Sequence, residues 1–133
     1  MSEAIKHDLT LNLERKWFAR IWNGQKTVEY REAKPYWTKR IGSWVGTRGK
    51  FVLFVLGYRH ETPAVLAQVS KVDVGPCPYR GFDGEYYRIK FGIVGYYRKN
   101  GDLFMPFDPD KPIPKMKEKK VLNHNNNPKG KVS

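Results

Sequence analysis

Apolar and polar positions alternate near the start of the chain and then change period. Leu9, Leu11 and Leu13 are separated by Thr10 and Asn12, the pattern of a short half-buried strand. From Leu13 onward, Trp17, Phe18, Ile21 and Trp22 recur at the spacing of one helix face. Asn12 is the expected N-cap, and Gly24, preceded by Asn23, ends the helix. Arg15, Lys16 and Arg20 fall on its other sides, as a solvated face requires. Thr27 to Glu32 then has the β-branched and aromatic content of a strand. Pro35 stops it, and Tyr36 to Arg40 reads as a short turn or helix.

Lys50 to Tyr58 is a continuous apolar run of strand length, expected to be buried on both faces. Pro63 to Val74 is a second strand whose alternation slips near Ser70-Lys71, which predicts a bulge. The polar link Arg59-His60-Glu61-Thr62 makes the two a hairpin, with His60 exposed in the loop. Gly75 to Gly84, rich in proline and glycine, reads as a connection. Tyr87, Ile89, Phe91 and Ile93 form a strand with one wet face, and Leu103 to Phe107 adds a short last one. The expected class is α+β, mainly β with α. Five to six strands, each paired with its sequence neighbours, close into a small β-barrel with one main helix across an opening. Residues 1–108 form one domain; 109–133 form a basic, Pro/Asn-rich tail, expected to be disordered and most clearly so from Asn123 to Ser133.

Composition changes this picture mainly through charge. With 133 residues, 40% of them hydrophobic, the chain suffices for one core. No apolar run approaches the roughly 20 residues of a membrane span, and the first residues lack the apolar core of a signal peptide, so a cytoplasmic protein is expected. The single cysteine, Cys77, leaves no internal disulfide and reads as a small structural residue. The net charge of +12 favours a polyanion, nucleic acid before an anionic membrane surface. Seven lysines and one glutamate from Lys111 onward place half of that charge in the tail.

The chemistry concentrates in Gly24-Gln25-Lys26-Thr27-Val28-Glu29-Tyr30-Arg31. In an extended chain Thr27, Glu29 and Arg31 share one face, and Val28 and Tyr30 the other, with Lys26 at the mouth. A lysine beside a carboxylate can do general acid–base work. Glu29 can equally orient Lys26 and Arg31 as anion receptors or accept from a base edge. A third outcome is an ion-pair network that locks the helix to the sheet. Trp37, in Tyr36-Trp37-Thr38-Lys39-Arg40, offers either a stacking surface beside two cations or a core plug. No phosphate-binding loop, dinucleotide fingerprint or metal motif is present, and His7, His60 and His124 are too scattered for a metal site, so neither cofactor nor metal is expected.

Gly24-x-Lys26-x-x-Glu29-x-Arg31 after a Trp17-Phe18…Ile21 helix resembles the signature of the ASCH domain, a family of the PUA-like β-barrel superfamily. The likeness runs from about Leu9 to the strand near Tyr97, including Tyr58 after an apolar strand and Val65 to Val74, and omits the tail. It implies a PUA-like barrel with a cleft for RNA or modified nucleotides. Some members deacylate N4-acetylcytidine with a lysine, a threonine and a glutamate. The lysine matches Lys26, but the threonine position, three residues on, is Glu29. Others are ribonucleases using lysine, tyrosine and serine, of which Lys26 alone carries over. The expectation is therefore a binder of RNA, another single-stranded nucleic acid or a modified nucleotide. Lys26, Glu29, Arg31, Tyr30 and Trp37 would form its cleft, with Tyr58 beside them and Arg40, Arg59 and the lysine tail adding salt-sensitive affinity. Lys26 and Glu29 would be the catalytic pair if the cleft is that of a ribonuclease or amidohydrolase.

Overall fold

Two apolar faces buried on one strand set the centre of the molecule. The computed structural model describes residues 6–57, 62–99 and 102–119. In chain order they form β1 (Leu9–Leu13), α1 (Arg15–Trp22), β2 (Val28–Glu32), α2 (Pro35–Ile41), a 3-10 turn at Gly42–Trp44, β3 (Phe51–Leu56), β4 (Ala64–Gly75), β5 (Tyr86–Lys99) and β6 (Asp102–Pro106). Val52 to Val55 of β3 are all buried. Val52 and Phe54 join Phe18, Ile21 and Phe91 in the main core, while Leu53 and Val55 meet Leu66 and Tyr97 in a second cluster. Covering both faces is why β3 is uninterrupted by polar residues.

The β3–β4 hairpin is antiparallel, and β4 carries register shifts between Leu66 and Ala67 and between Val69 and Lys71. The second of these is the slip expected near Ser70-Lys71. The long β5 pairs with β4 along its length, with β2 through its first half and with β6 through its second.

The strand order is β1-β3-β4-β5-β2, with β6 on β5, and this corrects the expected neighbour-to-neighbour pairing. That pairing holds only from β3 to β6. β1 lies parallel to β3, so the chain between them crosses over and carries α1, β2 and α2. The molecule is α+β, a six-stranded sheet with two short helices. Among the described residues β1 and β2 share no backbone ladder, so the sheet is not closed. The helix also starts later than expected. Glu14 is its N-cap, and Asn12 instead donates from Nδ2 to the carbonyl of Gly57.

The chain leaves the sheet near residue 108, where a tail was expected, but residues 109–119 are held against α1 as a strap. Ile113 and Met116 pack on the main core. Trp22 Nε1 donates to the Pro114 carbonyl at 3.0 Å, and Asn23 and Met116 bond each other in both directions at 2.8 Å. Arg20 closes the attachment on the two oxygens of Glu118 at 3.0 and 3.2 Å. Tyr58, Arg59, His60 and Asn123 to Ser133 lie outside the described residues. No helix among the described residues is long and apolar enough to cross a membrane.

The Arg20 guanidinium holds the Glu118 carboxyl below its ordinary range. A lowered folded-state pKa adds stability above the unfolded value, and that stability is lost as pH falls through the folded one. Acidification to below roughly pH 4 is therefore expected to loosen the strap, and Glu118→Gln to loosen it at neutral pH. The pair is partly exposed, which keeps the effect modest. The measurement is amide-exchange protection at Met116. A protection factor indifferent to both changes means the pair contributes nothing to the strap.

Candidate functional site

The site begins where α1 ends. Asn23 caps the helix, and Gly24 turns the chain at φ 77°, a left-handed conformation that costs glycine nothing. The N–H groups of Gln25 and Lys26 then both donate to the Arg20 carbonyl, at 2.8 and 3.0 Å. This wrap around the last turn sends the Lys26 side chain inward. β2 follows as an edge strand, with Glu29 opposite Ile89 and Arg31 opposite Tyr87. Directly paired residues share a face, so Glu29 and Arg31 project onto the side where Ile89 and Tyr87 are buried. Val28 and Tyr30 take the other face, as alternation requires. Thr27 precedes the strand and is exposed, so it does not join Glu29 and Arg31.

Lys26 and Glu29 are 6% and 4% exposed, which makes them the buried charges of the structure's described core. Lys26 Nζ bonds to Glu29 Oε1, and Arg31 Nη2 lies 2.7 Å from Oε2. One carboxylate is thus clamped between two cations. The clamp also meets aromatic rings. Lys26 Nζ sits 5.6 Å from the ring centres of both Trp17 and Tyr30, and the Arg31 guanidinium sits 5.0 Å from that of Trp37. Arg31 is incompletely satisfied. Its Nη2 is close to Glu29 but off the hydrogen-bond direction, and neither Nη2 nor the equally buried Nε finds an acceptor among the described residues.

These groups form the floor of an open cleft of about 460 Å³, within the range of small-molecule sites. Asn12 and Leu13 of β1 line it together with Glu29, Tyr30, Arg31 and Glu32 of β2. The cleft therefore occupies the seam between the two edges of the sheet. Its outer wall comes from the connection between β4 and β5. Tyr79 packs at 4.7 Å from Trp17 and edge-on at 5.6 Å from Tyr30, and Phe82 bridges towards Tyr86 at 6.5 Å. Burial pushes the hydroxyls of Tyr30, Tyr79 and Tyr86 above the ordinary tyrosine range, so they are protonated donors at neutral pH.

No family model matches this chain, and no curated protein or solved structure matches it either. The site therefore has to be read from its own geometry. Of the residues expected there, Lys26, Glu29, Tyr30, Arg31 and Trp37 line one cleft. Arg40 does not. Its guanidinium stacks on the exposed Tyr36 ring at 3.5 Å, and its Nη1 donates to the Tyr36 carbonyl. Tyr58 and Arg59 fall outside the described residues, directly after Gly57, which lines the cleft. Trp17, Tyr79, Phe82 and Tyr86 also line the cleft, Trp17 from the apolar helix face, Tyr79 and Phe82 from the segment expected to be a connection, and Tyr86 from the start of β5. The aromatic spacing of Tyr79, Phe82 and Tyr86 within a Pro/Gly-rich segment was the available signal. Cys77, expected to be structural, also lines the cleft.

Chemically, the cleft offers aromatic faces, neutral hydroxyl donors and one carboxylate shared by two cations. Its charged lining is three glutamates (Glu14, Glu29 and Glu32) against two cations. Such a floor suits a flat polar molecule better than a phosphate. Among the described residues no group of three His, Cys, Asp or Glu side chains could hold a metal ion.

The ion-pair lock and the binding floor are one set of atoms, which makes a stability test informative. Glu29→Gln leaves a buried lysine without its counter-charge and is expected to cost about 3–5 kcal/mol of folding stability in urea denaturation. Adding Lys26→Met should recover part of that loss, because the orphaned charge is then gone. Strictly additive losses would mean that the two side chains do not act as a unit.

Proposed function

We propose that the protein binds single-stranded nucleic acid, RNA before DNA, and takes one unstacked or modified base into the cleft between β1 and β2. On this reading it is an ASCH-type module, and its curled sheet is a PUA-like barrel left open at that seam. The observation that carries the proposal is the buried Lys26–Glu29–Arg31 cluster on the floor of an aromatic-walled cleft. Charged groups held at a cleft floor can hydrogen-bond a base edge that carries a carbonyl oxygen and a ring nitrogen. Glu29 can accept from an amino group on the same edge, and Trp37 or Tyr79 can stack on the ring. Lys26 and Arg31 then read the base rather than the backbone, since both already contact Glu29 and the lining holds more carboxylates than cations.

A second reading, a ribonuclease or an amidohydrolase of the N4-acetylcytidine type, is favoured by the Lys26–Glu29 contact at the cleft floor. Against it, the hydroxyls lining the cleft are those of Tyr30, Tyr79 and Tyr86, with no serine or threonine among the lining residues. Incubation with labelled RNA and with N4-acetylcytidine separates the two. Product that disappears with Lys26→Met establishes turnover.

Filter retention of a labelled single-stranded oligoribonucleotide at low salt tests binding. Arg31→Met removes charge-assisted hydrogen bonds worth about 1.5–3 kcal/mol and is expected to weaken affinity roughly 10- to 100-fold. Trp37→Ala removes a stacking face worth about 1–3 kcal/mol. Wild-type protein that retains no RNA, or affinities that neither substitution changes, would sink the proposal.

A further inference from the structure

If a base occupies the cleft, its phosphates must lie elsewhere, because the cleft's cations are already engaged by Glu29 and its lining is rich in carboxylates. The strap supplies a place. From Lys115 to Lys119 exposure alternates: Lys115, Lys117 and Lys119 face solvent, while Met116 and Glu118 are turned towards α1. Lys115 to Lys117 runs without a bend, and in extended chain every second side chain shares a face about 6.6 Å from the next; the chain then bends at Glu118 and Lys119. The repeat is comparable to the phosphate step of a stretched single strand.

The strap also holds like charges together. Of its two acidic residues, Asp110 and Glu118, the one among these lysines, Glu118, is used on Arg20, and Arg15 Nε donates to the Lys117 carbonyl at 3.2 Å. The strap's lysines are thereby fixed beside Arg15, Lys16 and Arg20, where a solvated tail would let them separate. The same cations adjoin the cleft, since Lys16 Nζ and the Arg20 guanidinium lie 4.8 and 5.1 Å from the ring centre of Trp17, a cleft wall. We propose that Lys115, Lys117 and Lys119, with Arg15 and Lys16, form a phosphate-binding track that leads a single-stranded nucleic acid past Trp17 to the cleft. This rests on the base-binding reading above and assigns the backbone to a separate surface.

The test is the salt dependence of binding to the same oligoribonucleotide. Lys115→Gln/Lys117→Gln/Lys119→Gln is expected to reduce the slope of log K against log salt by about 2, from roughly 0.7 per phosphate contact on a single strand. The urea midpoint should not move, because the three side chains are exposed. A charge-matched set, Lys120→Gln/Lys129→Gln/Lys131→Gln, should change the slope by less than half as much. Equal effects from the two sets reduce the track to net charge and overturn it, as does an unchanged slope in the first set. Binding that responds to Arg31→Met but not to the strap set overturns the track alone. Binding that responds to the strap set but not to Arg31→Met overturns the cleft as its destination, and an absence of binding at low salt overturns both.

Discussion

A buried carboxylate constrains everything around it. Removing Glu29 from water costs several kcal/mol unless opposite charge meets it at close range, and the structure meets it from two directions. Each partner depends on a different local device. Lys26 arrives by the Gly24 turn over the end of α1, Arg31 by the two-residue period of β2, and Trp37 reaches the Arg31 guanidinium from α2. The relative positions of α1, β2 and α2 are thus tied to a single side chain. A site built this way is organised before any ligand arrives, which lowers the ordering cost of binding.

The same charges account for the open seam. An edge strand exposes unpaired backbone groups and invites further pairing. Here the two edges, β1 and β2, face one cleft but are kept apart by side chains from both. Asn12 turns its amide to the Gly57 carbonyl at the end of β3, while Glu29 and Arg31 fill the space beside β2. Closing the ladder would require displacing a buried ionic cluster. The gap is therefore a consequence of where the sequence places its polar residues on otherwise apolar strands.

Those polar residues were the legible part. Period-two alternation placed Glu29 and Arg31 on one face, and the apolar run of β3 and the slip in β4 were readable for the same reason: they are local patterns. Strand order was not, because the parallel β1–β3 contact joins residues some forty positions apart and leaves no local trace. The aromatic wall was hidden by its context. Prolines and glycines around Tyr79 and Phe82 mark a connection, and nothing local says that a connection folds back over a cleft. The strap failed for the opposite reason. Lysine and proline suggest a solvated tail, and the two apolar residues that anchor it, Ile113 and Met116, are too few to register as a periodic face.

Net charge, taken for the chain as a whole, would have put phosphate in the cleft. The structure instead separates two kinds of surface. Carboxylates outnumber cations in the cleft lining, and further positive charge lies outside it, on α1, on the strap and around the Tyr36–Arg40 stack. Contacts to phosphate position a strand without reading it, and contacts to base edges read it. Under the proposed function, separating them physically would let affinity depend on salt while selectivity depends on the shape and donor pattern of the cleft. Trp17 adjoins both regions, with Lys26 and Tyr79 on its cleft side and Lys16 and Arg20 close to its ring. A single indole therefore borders both the cleft and the basic surface beside it, and its orientation depends on α1, the helix that the strap also holds.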